Sequence, residues 1–138
     1  MDTLSKRERS QRMSLIRGKG TKPEKIVRRI LRKYGYKCRM NVADLPGKPD
    51  FVLPRDRKVI FVHGCFWHRH PNCSLARMPK SKLQFWLPKL TENRRRDLRN
   101  VRRLRRAGWR VKLVWECQLK KRTVLEKAIC KFLERNDE

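Results

Sequence analysis

Negative charge is what this chain has least of. Its 138 residues carry 13 Asp+Glu against 39 Lys+Arg, a formal net charge of +26. A surface so one-sided repels itself unless a polyanion supplies the counter-charge, and nucleic acid is the default partner. Affinity for it should fall steeply with salt, as condensed cations are displaced from phosphates. Long apolar runs are absent too: none reaches the roughly 18 residues of a membrane span, and no signal-peptide stretch follows Met1. A cytoplasmic, nucleoid-associated protein is expected. There is no internal repeat, and the length suits one domain with a modest core. Composition alone favours a ribosomal or chromatin-type protein, whose basic charge needs no catalytic site. The motifs decide otherwise.

Histidine is scarce, and all three copies (His63, His68, His70) fall within eight residues. They lie in Lys-Val-Ile-Phe-Val-His-Gly-Cys-Phe-Trp-His-Arg-His-Pro-Asn-Cys (58–73), an apolar strand running into a cluster of metal and proton chemistry. The five cysteines are Cys38, Cys65, Cys73, Cys117 and Cys130. In a reducing compartment, clustered cysteines point to metal before disulfide. Cys38 and Cys130 read as small apolar residues.

Along the chain, 1–20 reads as a flexible basic arm and 21–138 as a single domain. A helix is expected from Thr21, with Pro23 in its first turn and a Thr21/Glu24 capping box. Its apolar stripe is Ile26, Val27, Ile30, Leu31 and Tyr34, and Gly35 stops it. Strands are expected over 36–42, 50–54 and 58–64, the last two joined at Arg55-Asp56-Arg57. The Gly47-Lys48-Pro49 loop delivers Asp50 to a strand start. Residues 65–80, with Pro71 and Pro79, read as an irregular loop. A helix follows over 81–106, bent or restarted near Pro88, burying Leu90, Leu98, Val101 and Leu104 and turning arginines outward. A strand over 109–116 and a helix over 121–135 close the chain. The fold class is α/β, a mixed β-sheet flanked by helices in the order α-β-β-β-α-β-α.

Cys65, His70 and Cys73 offer three soft ligands, and Cys117 after the last strand would complete a tetrahedral site. Such a closed Zn²⁺ site is structural, tying the long loop to the sheet. Asp50 at a strand start, with His63 and His68 delivered by the next strand, suits phosphodiester hydrolysis. A carboxylate-bound Mg²⁺ neutralises charge there, and a positioned histidine deprotonates water.

Gly-Lys-Pro-Asp-Phe-Val (47–52), Phe-Val-His-Gly-Cys-Phe-Trp-His (61–68), Gln-Phe-Trp-Leu (84–87) and Gly-Trp-Arg-Val…Trp-Glu-Cys (108–117) resemble the very short patch repair (Vsr) DNA mismatch endonucleases. The resemblance runs from about Ser5 to Leu133. It implies a restriction-endonuclease-like fold and nicking of one strand 5′ to the thymine of a T:G mismatch, the product of 5-methylcytosine deamination. By this resemblance Asp50 and the Val62 backbone carbonyl hold Mg²⁺, His68 is the catalytic histidine oriented by Glu24, and His63 is a further active-site histidine. Val62 stands where the family has Thr, so the hydroxyl is lost and the carbonyl stays. Two residues, Pro71-Asn72, separate His70 from Cys73 where the family has one.

The resemblance also makes Phe66, Trp67 and Trp86 intercalating wedges beside the mismatch, where unstacking costs least. Lys89 and Asn93 contact DNA nearby. Phe85 reads as the core neighbour of Trp86, and Trp109 and Trp115 as packing residues. A monomer is expected, since one nick needs one active site, with downstream repair proteins as further partners. Two rivals are a sequence-specific nicking or restriction enzyme acting on matched DNA, and a non-catalytic, zinc-stabilised nucleic-acid binder.

Overall fold

A computed structural model describes residues 22–134; the 1–20 arm and Thr21, and with it the expected capping box, lie outside them. The elements are α1 (Lys22–Lys33), β1 (Arg39–Met40), β2 (Phe51–Leu53), β3 (Lys58–His63), α2 (Leu83–Arg106), β4 (Arg110–Trp115) and α3 (Arg122–Glu134). Short 3-10 turns lie at Ser74–Ala76 and Glu116–Lys120. The sheet order is β1-β2-β3-β4, antiparallel except for the parallel β3–β4 pair, which sets Lys58 beside Arg110 and His63 beside Trp115.

Strand β2 is buried on both faces, as its unbroken apolar run requires. Phe51 and Leu53 face one core with Ile60, Val114, α1 (Val27, Ile30, Leu31) and α3 (Leu125, Ile129, Leu133). Val52 faces a second core with Val59, Phe61, Val42 and Leu104 of α2. The sheet is therefore the middle of three layers. The mixed sheet and its helical order are those the sequence implied.

Four local expectations change. The first strand shrinks to Arg39–Met40, because Asn41 takes a left-handed φ of 52° that breaks the ladder. Helix α2 runs unbroken through Pro88, which sits in its second turn and forgoes a single backbone donor. Leu98 is 45% exposed rather than buried. Tyr34 is 46% exposed, its hydroxyl donating to Glu126 Oε1 at 2.6 Å.

Lys58 opens β3 and is only 1% exposed. Its Nζ donates to the Leu133 carbonyl at 2.6 Å, setting a positive charge on the negative end of α3. Lys58→Ala should leave both a cavity and an uncapped carbonyl, costing roughly 2–4 kcal/mol. A thermal melt would register that as a clear drop in Tm; an unchanged Tm would remove Lys58 from the account of how α3 is docked. No helix among the described residues is long and apolar enough to cross a membrane.

Candidate active site and metal centre

Strand β3 outruns β2: the antiparallel register ends at Phe51 and Ile60, while pairing with β4 continues to His63. The next β2-side carbonyl, that of Pro49, is taken by the Val42 N–H at 3.3 Å. The Asp50 carboxylate steps in, its Oδ2 accepting the Val62 N–H at 2.7 Å. Gly47 makes this approach possible. It has φ 77°, and a Cβ there would lie 3.1 Å from both Asn100 and Phe61.

Burial, and then a hydrogen bond shared with Glu24, raise the Asp50 carboxyl to about 7, with the Val62 N–H working against them. Glu24 itself is 6% exposed, in the first turn of α1. A half-buried and a buried carboxyl, adjoining each other beside a backbone strand segment, form a hard-oxygen donor set that suits a small dication. These residues fit a small dication such as Mg²⁺, which Asp50 and the Val62 carbonyl would hold with Glu24 alongside.

Glu24 thus keeps company with Asp50. The acidic partner of His68 is instead Asp97 of α2, whose Oδ2 lies 2.6 Å from His68 Nδ1. The reason is geometric: α2 crosses the loop that carries His68, whereas Glu24 belongs to a helix whose first turn reaches Asp50. Asp97 went unnoticed in the sequence, although it is the only acid in the arginine-rich stretch 94–106.

The His63 and His68 rings are stacked, 3.9 Å apart and 7° from parallel. Burial, then the charge of His68, lowers His63 to about 3, so it stays neutral under working conditions. Its Nδ1 is buried with no hydrogen-bond partner among the described residues. His63, His68 and Asp97 lie close enough to suggest a metal site. Parallel rings send their lone pairs along parallel planes that share no point, so this group suits proton transfer better than ion capture.

Cys65, His70, Cys73 and Cys117 present ligand atoms all within 4.8 Å of one another. His70 Nδ1 is 3.7 Å from Cys65 Sγ and 3.4 Å from Cys117 Sγ. Tetrahedral zinc bonds of about 2.0–2.3 Å put ligand atoms roughly 3.5–3.8 Å apart, so the group fits Zn²⁺. Burial pushes the Cys65 thiol up to about 12. A bound dication is what turns such a sulfur into a thiolate. The longer Pro71-Asn72 spacing is absorbed by a left-handed Asn72 (φ 56°).

Trp115 belongs to both centres. It stacks on His70 (4.2 Å, 12°) and meets His63 edge-on at 5.2 Å. Packing on the last strand, its expected role, describes only part of this. The loop is tied further by the Cys65 N–H donating to Glu116 Oε1 at 2.9 Å.

Phe66, Trp67 and Trp86 form a mutually edge-on triad, with centroids 5.2–5.8 Å apart. All three are half-buried. Phe85, expected in the core, is 57% exposed and packs edge-on against Trp86 at 5.0 Å. With Leu83 and Leu87 also exposed, the start of α2 is an apolar ridge. Lys89 Nζ sits 5.2 Å from the Phe85 ring centroid. Asn93 Nδ2 donates to the Trp67 carbonyl at 3.4 Å, so Asn93 holds the loop.

Comparison with known proteins accords with this geometry. Residues 1–75 match the profile of the family described as DNA mismatch endonuclease Vsr. The chain is 46% identical to the type II nicking enzyme V.XorIIP of Xanthomonas oryzae, over 96% of this chain and 97% of that one. It is 43% identical to DNA mismatch endonuclease Vsr of Escherichia coli, over 96% and 85%. Among solved structures, the catalytic domain of homing endonuclease I-Bth0305I superposes with a TM-score of 0.56 at 20% identity, covering 82% of this chain and 94% of that one. That likeness speaks for the fold, which is restriction-endonuclease-like. A strand-start aspartate, an adjoining histidine–aspartate pair and relatives at this level of identity leave one assignment: the chain is a DNA endonuclease and belongs to the Vsr family.

Proposed function

We propose that this enzyme nicks one strand of duplex DNA 5′ to the thymine of a T:G mismatch, using Mg²⁺. The observation that carries the reading is the run of contacts joining three parts. Val62, bonded to Asp50, precedes His63, whose ring stacks on His68 of the His68–Asp97 pair. Phe66 and Trp67 of the aromatic ridge immediately precede His68 in the same loop. Bound at Asp50, Val62 and Glu24, Mg²⁺ would supply charge neutralisation for the phosphate and a more acidic water. Asp97 accepts the Nδ1–H of His68 and so fixes the tautomer that leaves Nε2 basic. Nε2 then takes the proton of the attacking water, and Asp97 steadies the imidazolium that results. His63, kept neutral by burial, lies flat against His68 and fixes the plane of its ring. His63 is a positioning residue here.

The ridge supports mismatch recognition. A T:G wobble resembles a normal pair in outline but stacks less well, so aromatic edges enter beside it at lower cost. The tetrad holds Phe66 and Trp67 in a loop pinned at Cys65 and His70, and Asn93 grips the Trp67 carbonyl. Structural zinc would therefore serve recognition by stiffening the wedge.

Several relatives are named as nicking enzymes, which favours a second reading in which matched DNA of one sequence is cut. Family membership removes the non-catalytic alternative. Strand-resolved cleavage of an end-labelled T:G duplex beside its T:A twin, with Mg²⁺ or EDTA and in several flanking contexts, separates the two. A Mg²⁺-dependent nick on the thymine strand of the T:G duplex alone is expected; equal cutting of both duplexes would hand the case to the second reading. Trp67→Ala should reduce preference for T:G over T:A by roughly tenfold or more, a few kcal/mol of lost stacking at most. Equal losses on both duplexes would show that Trp67 is no wedge.

A further inference from the structure

Loop residues 69–77 and Arg94 of α2 line an open surface concavity of about 540 Å³. Arg69, Arg77 and Arg94 line it, with Asn72, Ser74 and the tetrad's His70 and Cys73 between them, and among the described residues no carboxylate lines it. Two of the guanidiniums are held in place. Arg69 Nη1 donates to the Ala76 carbonyl, and Arg94 Nη1 donates to the Arg69 carbonyl at 3.0 Å. Each guanidinium has five N–H donors, so such a bond leaves most of the fork available to a ligand. Arg77 is exposed at the rim.

Three cations, an amide and a hydroxyl around a concave space, with no acid opposing them, match a tetrahedral phosphate group. The lining starts two residues after Trp67, at most about 7 Å along the chain. DNA seated on the aromatic ridge would therefore pass the mouth of the cavity. We propose that this cavity takes one backbone phosphate of the DNA next to the ridge, so that the loop which wedges the duplex also grips it. The proposal rests on the reading of the ridge as the DNA-facing surface. It makes Arg77 a DNA-binding residue that resemblance did not supply.

The test replaces single phosphates around the mismatch by neutral methylphosphonates and measures Kd by anisotropy. Wild type, Arg77→Ala, Arg77→Lys and a surface control, Arg122→Ala, are compared on T:G and T:A duplexes. Wild type should bind about threefold to tenfold more weakly when one particular phosphate is neutral. Arg77→Ala should show that loss already on natural DNA, with no further loss at that position. Its log Kd against log salt slope should be shallower by about 0.9, and Arg77→Lys should recover part of the affinity. The proposal fails if the scan is flat for wild type, as it would be for a cavity that takes free phosphate. It fails equally if Arg77→Ala still responds to the same position, or if Arg122→Ala behaves alike. Binding is read on both duplexes, so loss of T:G preference overturns the mismatch reading and leaves the phosphate result standing.

Discussion

Asp50→Asn should abolish nicking, lowering kcat by at least about 10³-fold, while DNA binding persists. Asn keeps the shape and can still accept the Val62 N–H, so what is lost is the charge that a dication requires at this point. The same substitution has a second signature, readable without substrate. In the metal-free protein the Asp50 carboxyl is raised from 3.8 to about 7 by burial and by Glu24. The folded state therefore holds this proton more tightly than the unfolded chain. The stability it contributes is fully present below pH 3.8 and is lost as pH rises through about 7. Above that, an ionised Asp50 stands poorly solvated beside Glu24, and Asn removes that charge. In EDTA, Asp50→Asn should raise stability at pH 8 by on the order of 1–3 kcal/mol, and by much less at pH 5. A Tm shift that is equal at the two pH values would show that the Asp50 carboxyl is not raised in the folded state.

Cys117→Ser has the largest expected effect on stability. Cys117 lies half-exposed after β4, yet its sulfur is 3.4 Å from His70 Nδ1 in the loop that follows β3. If the tetrad holds zinc as proposed, losing one of its four ligands should cost on the order of 3–5 kcal/mol and roughly 10–20 °C in Tm. Cys130→Ser, away from the tetrad, is the control and should change neither Tm by that much nor the metal content. Elemental analysis decides the matter: one zinc per chain in wild type, and much less in Cys117→Ser. Full zinc in the variant would remove Cys117 from the ligand set and with it the link between loop and sheet.

Much of the fold was legible because its signals are local. The stripe Val27, Ile30 and Leu31 declares the buried face of α1, and the apolar runs at 51–53 and 58–63 declare central strands. The tetrad was legible because soft ligands cluster in sequence, with Cys117 the one long-range guess. What escaped depends on tertiary geometry. Asp97 meets His68 across 29 residues, a contact set by how α2 lies over the loop and not by any spacing. Phe85 and Trp86 are adjacent aromatics on one helix, and only the position of the loop decides which is covered. Trp115 alternates correctly for a strand residue, but that pattern cannot say that it lies between two sites. Pro88 suggested a bend or a fresh start, yet a proline in an early turn leaves too few bonds unmade to end a 24-residue helix.

The parallel pairing of β3 with β4 also bears on how the chain reaches this state. Lys58 must find Arg110 across the whole catalytic loop and α2, so the central ladder closes late and at a high entropic cost. Cys65 and Cys117 flank that crossover at matching strand ends, and the Cys65 N–H to Glu116 bond spans 51 residues. A metal caught by these sulfurs would shut the crossover as a clasp shuts a long loop, at the ends where His63 and His68 sit. Refolding supplied with zinc would then assemble sheet and active site in one event. Refolding without it would leave two strand edges exposed to each other's neighbours, and a chain of this fold would meet its main hazard, pairing with another copy, before it ever met DNA.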